Sequence, residues 1–228
     1  MRQISILLLG AMMLVAAFMC AAVAQDGGVG MATYVEIMPQ SKEGAAVLLK
    51  AEAAASRKDD GCEDVQLLEE IGQDNRFVVL QSWKDQSAFE AHARTAHAQQ
   101  FYGRLAAIEI APADERVLAG SWHGPIPKAK STQSIWVVTH IDVMPPYKDE
   151  AFDLAAKLGE GAAKELGNLR FAVVRQAGRP NHFTLSEIWA DQVAFEAHQA
   201  DARTRHFRDK LGPMLGALYD QRIYRAVE

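Results

Sequence analysis

One ten-residue string occurs twice in this chain. Residues 83–92 read WKDQSAFEAH and residues 189–198 read WADQVAFEAH, eight identical positions in ten at a separation of 106. A repeat of this quality constrains the fold more than any local pattern does. The same separation pairs Glu36-Ile37-Met38-Pro39 with Asp142-Val143-Met144-Pro145, Phe77 with Phe183, and Gln81 with Glu187. Further on, Arg94-Thr95-Ala96-His97 matches Arg203-Thr204-Arg205-His206 at a separation of 109, which predicts three extra residues after His198. Two copies, each roughly 95 residues long, are too few and too long for a solenoid of short repeats. The chain reads as one small domain duplicated.

Residues 1–24 stand outside the repeat. Arg2 gives a positive start, Ile4 to Ala22 is apolar, and Ala22-Val23-Ala24 precedes the polar Gln25-Asp26. That is the pattern of a secretory signal peptide. The competing reading is a retained membrane anchor, for which the run is long enough. A lipoprotein site at Cys20 fits less well, because Phe18 and Met19 are bulky. Cleavage leaves Cys62 as the one cysteine, so each domain must be held by its apolar core without a disulfide. Losing Arg2, the segment's one charge, takes the net charge from −5 to −6. Mixed, mildly acidic charge with no basic stripe argues against nucleic acid as a partner. No second membrane-length apolar run follows, so an exported chain, periplasmic or secreted, is expected.

Within each copy the patterns alternate. Thr33–Met38 is a β-type run ended by Pro39, and Lys42–Lys58 is rich in helix formers behind a candidate cap, Ser41. Cys62–Ile71 and Arg76–Trp83 form a hairpin around Gly72–Asn75. On the second hairpin strand Phe77, Val79, Gln81 and Trp83 share one face, and both faces are mostly apolar. A helix capped by Asp85 or Ser87 follows, then a helical piece over His97–Ile110 and a strand over Glu115–Trp122. The second copy repeats this order, with a helix over Tyr147–Leu166, a hairpin turning at Ala177–Asn181 and a last strand over Tyr219–Val227. The expected domains are 31–122 and 134–228, joined by a Pro-containing linker, 123–133. Each reads βαββαβ, the ferredoxin-like order. Helices cover one face of such a sheet, and the second copy is the natural cover for the other.

The hairpin strand ending Gln81-Ser82-Trp83 or Glu187-Ile188-Trp189, followed by Asp-x-x-Ala-Phe-x-x-His to His92 or His198, resembles the antibiotic biosynthesis monooxygenase (ABM) domain. This is the quinol-monooxygenase-like branch of the dimeric α+β barrel superfamily. The resemblance covers nearly all of the chain after residue 24, once per copy. It implies an α+β fold of two fused ferredoxin-like domains forming a pseudo-dimeric barrel within one chain. It also implies oxygenation of a small phenol or quinol by O2 without metal, haem or flavin. The substrate's own anion reduces oxygen, and the protein binds, orients and deprotonates.

The residues that could carry this chemistry come in pairs. Trp83 and Trp189 close equivalent strands and could stack on an aromatic substrate, or simply anchor strand to helix. His92 and His198 sit at equivalent helical positions, as candidate bases or as structural histidines. His97 and His206 are next in line as bases or donors. Tyr34 and His140, and Gln81 and Glu187, are candidate substrate-binding positions that differ between the copies. Glu187, His140, His198 and His206 make the second copy chemically richer. Histidine spacings of five and eight match no zinc pattern, so no metal is expected. Cys62 has no basic neighbour to activate it.

Three functions fit this pattern. The first is an exported cofactor-independent monooxygenase. The second is a ligand-binding or stress protein on the same fold, since fold does not fix function. The third, haem capture or degradation, is disfavoured because Thr33–Met38 and Ile135–Val143 lack the asparagine used by a related haem-degrading family.

Overall fold

The computed structural model describes residues 27–120 and 133–227. The expected leader, residues 123–132 of the expected linker, and Trp122 lie outside them. The first copy runs β1 (Val29–Glu36), α1 (Lys42–Ser56), β2 (Cys62–Glu70), β3 (Gln73–Trp83), α2 (Gln86–Ala93), α3 (Ala96–Leu105) and β4 (Asp114–Leu118). The second runs β5 (Ile135–Asp142), α4 (Lys148–Ala162), β6 (Asn168–Gln176), β7 (Arg179–Trp189), α5 (Gln192–Ala200), α6 (Ala202–Leu211) and β8 (Asp220–Ala226). The order is βαββαβ twice, with the second helix of each copy split in two.

Local chemistry sets the boundaries. Asp85 and Asp191 cap α2 and α5, accepting from the N–H groups of Ala88 and Ala194 at 2.8 and 2.9 Å. Ser41 makes no side-chain cap; a 3-10 turn, Pro39–Ser41, leads into α1 instead. The hairpin turns are tighter than expected, Ile71-Gly72 and Ala177-Gly178, with Gly72 at φ +85° and Gly178 at φ +74°. Leu166, expected on the apolar face of a longer helix, lies beyond the end of α4 and is 96% exposed.

The separation of 106 holds to the end of the fold. α3 and α6 begin at Ala96 and Ala202, and they bury Phe101 and Phe207, Leu105 and Leu211, at matching positions. No three-residue insertion follows His198. The Arg-Thr-x-His match at 109 is a sequence coincidence displaced about one turn along α6. The counterpart of His97 is therefore Arg203, and His206 aligns with Gln100.

The eight strands close into a barrel in the order β1-β3-β2-β8-β5-β7-β6-β4, with β4 returning to β1. The two sheets do not merely stack; they join edge to edge at two seams. At one, β2 meets β8 and the Ile71 N–H donates to the Ile223 carbonyl at 2.8 Å. At the other, β4 meets β6 and the equivalent bond runs from Ala177 to Val117, also at 2.8 Å. Closure pairs every edge strand with another.

Strand parity then separates two cores. Ala32, Tyr34, Leu80, Trp136, Val138, Ile188 and Tyr224 are among the side chains that fill the barrel. Phe77 and Val79 of the first copy, and Phe183 and Leu185 of the second, point outward beneath the helices.

Candidate functional site

Gln81 and Trp83, and Glu187 and Trp189, continue those outward faces to the strand ends. Because Asp85 and Asp191 start the next helix almost at once, each histidine falls back over its tryptophan. The rings stack with centroids 4.6 Å apart for Trp83 and His92 and 4.5 Å for Trp189 and His198, at 28° in both. Gly61 and Gly167 make room for this approach. Each has φ near +80°, and a Cβ there would lie 2.5 Å from Ala88 Cβ or 2.4 Å from Ala194 Cβ.

In the second copy the stack belongs to a buried polar chain. The Trp189 indole N–H donates to Glu187 Oε2 at 2.9 Å. His198 Nε2 lies 3.6 Å from the same oxygen, and its Nδ1 lies 3.0 Å from Glu165 Oε2. Arg203 Nη2 reaches the other oxygen of Glu165 at 3.2 Å. Burial pushes the Glu187 carboxyl up to about 7, although Trp189 and Arg208 both pull it down. Burial also holds His198 below the ordinary imidazole range, with Glu165 acting in the opposite direction. Glu187 is thus a carboxyl that changes protonation near neutrality beside a neutral imidazole.

The first copy uses the same frame differently. Gln81 stands where Glu187 would be, and the buried Trp83 Nε1 has no hydrogen-bond partner among the described residues. Asp59, the counterpart of Glu165, lies 2.7 Å from His92 Nδ1. His97 sits between Glu52 and Asp59, 3.0 Å from a Glu52 oxygen through Nδ1 and 3.1 Å from Asp59 through Nε2. A cavity of about 20 Å³, the size of one water or ion, is lined by Glu52, Gln81, His92 and Tyr102.

Nine of the ten expected site residues fall into three groups, and His206 stands apart. Trp189, His198 and Glu187 meet in one copy; Trp83, His92, His97 and Gln81 are gathered in the other. Tyr34 and His140 are elsewhere, inside the barrel, where their side chains hydrogen-bond to each other. Thr184 bonds the far nitrogen of His140 at 2.8 Å. Burial, reinforced by Arg116 and Arg222, drops His140 to about 2, so the ring is neutral. His140, Arg116 and Thr184 line a cavity of about 680 Å³ at the barrel mouth, with His182 and Tyr219. His206 is exposed on α6 and joins no site; the shifted alignment misplaced it.

Sequence reasoning missed the acids behind both histidines. Asp59 and Glu165 each stand two residues before a glycine of positive φ, at the repeat separation, so the signal was present. It also missed Glu52, which lies forty residues before His92, because histidine spacing alone does not register a ligand from another helix.

The repeated strand–Trp–helix–His frame is matched by a family description. The model of "Antibiotic biosynthesis monooxygenase" matches residues 29–104 and again 134–210. The chain belongs to this family. Residues of this ABM chain are 32% identical, over 81 positions, to "Putative monooxygenase YcnE" of Bacillus subtilis (strain 168), covering 36% of this chain and 85% of that protein. A solved structure titled as a putative monooxygenase from Fusobacterium nucleatum superposes with TM-score 0.76 at 12% identity, covering 89% of this chain and 93% of the other. One from Lactobacillus acidophilus with a similar title gives 0.69 at 12% identity, covering 89% and 95%. An "anthrone oxidase-like protein" gives 0.69 at 12% identity, covering 90% and 93%. At such identity the structures establish the shared two-domain fold. Family and relative together support a monooxygenase-like function.

Proposed function

We propose that this ABM chain is an exported monooxygenase that oxidises a small phenol or quinol with O2, using the second copy's Glu187–His198 pair as its proton acceptor. The observation that carries the reading is Glu187: a buried carboxyl brought to about 7, bonded to Trp189 and flanked by a neutral imidazole. A base is most effective when it titrates near the working pH. The phenolic proton passes to the Glu187 carboxylate, and His198, held by Glu165, is the adjacent site to which it can move on. The resulting anion is electron-rich enough to reduce O2. A phenol oxidised to a quinone gives up four electrons, so one oxygen atom enters the product and the other leaves as water without a further reductant. Trp189, stacked on His198 and bonded to Glu187, holds the pair in register.

Oxygen uptake by the purified chain over a panel of quinols, with and without chelator, tests this. Uptake above autoxidation that falls in Glu187→Gln and His198→Gln supports it. Uptake unchanged in both variants, or absent with every quinol, overturns it. Export is tested separately by the mass of the mature N-terminus, expected to start at Gln25.

A second reading is favoured by cavity size. The barrel mouth, at about 680 Å³, can take a drug-sized molecule, whereas the first copy's cavity cannot. Tight binding of aromatics without oxygen uptake, lost on changing His140 or Arg116, would assign the chain to ligand binding there.

A further inference from the structure

We propose that Glu52, His92 and His97 form a site for one divalent transition-metal ion of the zinc class, with Asp59 orienting both imidazoles from behind. The site does not depend on oxygen chemistry. One donor atom from each of the three residues lies within 4.8 Å of the other two. His97 Nδ1 is already 3.0 and 3.1 Å from the two oxygens of Glu52. Donors bound tetrahedrally to one such ion at about 2.1 Å stand roughly 3.4 Å apart, so a small movement completes the set.

Asp59 decides which nitrogens are available. It accepts from His92 Nδ1 at 2.7 Å and from His97 Nε2 at 3.1 Å. Once an ion displaces the hydrogen that His97 Nδ1 shares with Glu52, each imidazole keeps its hydrogen on the side of Asp59 and offers its lone pair from the other nitrogen, Nε2 of His92 and Nδ1 of His97. A carboxylate behind a ligating histidine is the usual way to fix tautomer and ring orientation at a metal. Two imidazoles and a carboxylate suit a borderline cation better than magnesium or calcium, which prefer oxygen.

The second copy supplies an internal comparison. There the position of Glu52 is Leu158 and that of His97 is Arg203, whose guanidinium pairs with Glu165, the counterpart of Asp59. That copy carries its own cation on a side chain. The first copy has Glu52 in place of that leucine and Gln81 in place of Glu187, so its two carboxylates, Glu52 and Asp59, both face His97, and no Lys or Arg is paired with either among the described residues. Its positive charge must come from a proton on His97 or from a bound ion. The ion has a place to enter, since the His97 side chain is 30% exposed. Three protein ligands leave a position open toward the small cavity beside Gln81.

The test is titration of chelator-treated protein with Zn2+ by calorimetry, and with Co2+ by its visible absorption. One equivalent of Zn2+ is expected to bind, and Co2+ to give a band of low-coordinate nitrogen and oxygen ligation. His97→Arg and Glu52→Leu each install what the second copy carries, so both are chosen to preserve the fold, checked by circular dichroism. Each should weaken binding more than about 100-fold, and Asp59→Asn about 10–100-fold. His206→Ala, on the exposed face of α6, should bind as the parent does. Should His97→Arg fail to fold, the near-isosteric Glu52→Gln carries the same expectation. Absence of binding, or binding unaltered by the Glu52 and His97 changes, overturns the proposal.

Discussion

Tyr34 and His140 hold the same position in the two halves of the chain, and they are hydrogen-bonded to each other. Equivalent residues can touch only where the pseudo-two-fold axis passes between them. In a homodimer that place would bring two identical side chains together. Here it brings a phenol to an imidazole, with the guanidinium carbons of Arg116 and Arg222, themselves equivalent, 5.4 and 5.5 Å from the Tyr34 ring centre. Asp114 and Asp220 hold those arginines in place.

Tyr34→Phe should therefore strand a buried imidazole nitrogen. A loss of about 1–3 kcal/mol is expected in urea unfolding. The double change Tyr34→Phe with His140→Phe should cost less than the two single changes added together, because no polar group is then left without a partner. Additive costs would show that the pair is not coupled.

Glu187 should make stability depend on pH. Its folded value, about 7, lies above the ordinary 4.5. Below about 4.5 it is protonated in both states and its full contribution is present. Between there and about 7 the unfolded chain ionises first, so this contribution falls as pH rises, by about 3 kcal/mol at most, and levels off above. Glu187→Gln should remove this contribution, so that stability relative to the parent rises with pH across this segment. The amide is tolerated at that position in the first copy, where Gln81 occupies it. Buried His140 acts in the opposite direction over much of this range, so the test is the difference between the parent and Glu187→Gln curves; a difference that is flat from 4.5 to 7 would remove the basis for a buried, titrating Glu187.

Under the proposed oxygenation, Glu187→Gln should lower turnover roughly 100-fold or more, the range for loss of a positioned base. Its pH–rate profile should lack the limb near 7 expected of the parent. His206→Ala, exposed on α6, should leave turnover unchanged. Steady-state oxygen uptake across pH separates these cases.

Gly167→Ala should be costly for two reasons. The backbone is at φ +82°, and the added carbon would meet Ala194 at 2.4 Å. Destabilisation above about 1 kcal/mol is expected. Gly61→Ala should behave alike, with Ala88 in the way at 2.5 Å. Thermal unfolding checks both. If either variant matched the parent, α2 or α5 would be able to shift without loss of packing.

Much of this was legible from the repeat. The separation of 106, the alternation on Phe77–Trp83 and the Asp caps were enough to place Trp and His together under the helices. What the sequence hid were relationships between segments far apart in the chain. The seams depend on which edges meet, which local pattern does not encode. Tyr34 and His140 looked like neighbours of the Trp–His motif because strand parity tells which residues share a face, but not which face lies inside. Glu52 carries no mark as a ligand until α1 packs beside α3. His206 was misplaced because three matching letters outweighed the helical phase of Phe101 and Phe207.

The two seams have a consequence for how such a barrel can change. When one sequence builds both walls, any substitution is made twice, and a residue on the axis must tolerate its own image. Here the halves are covalently one chain with separate positions. Glu187 can keep its carboxyl while Gln81 does without, and Arg203 can carry a fixed charge while His97 holds a titratable one. The barrel needs both walls to close, yet its pockets are free to take different work.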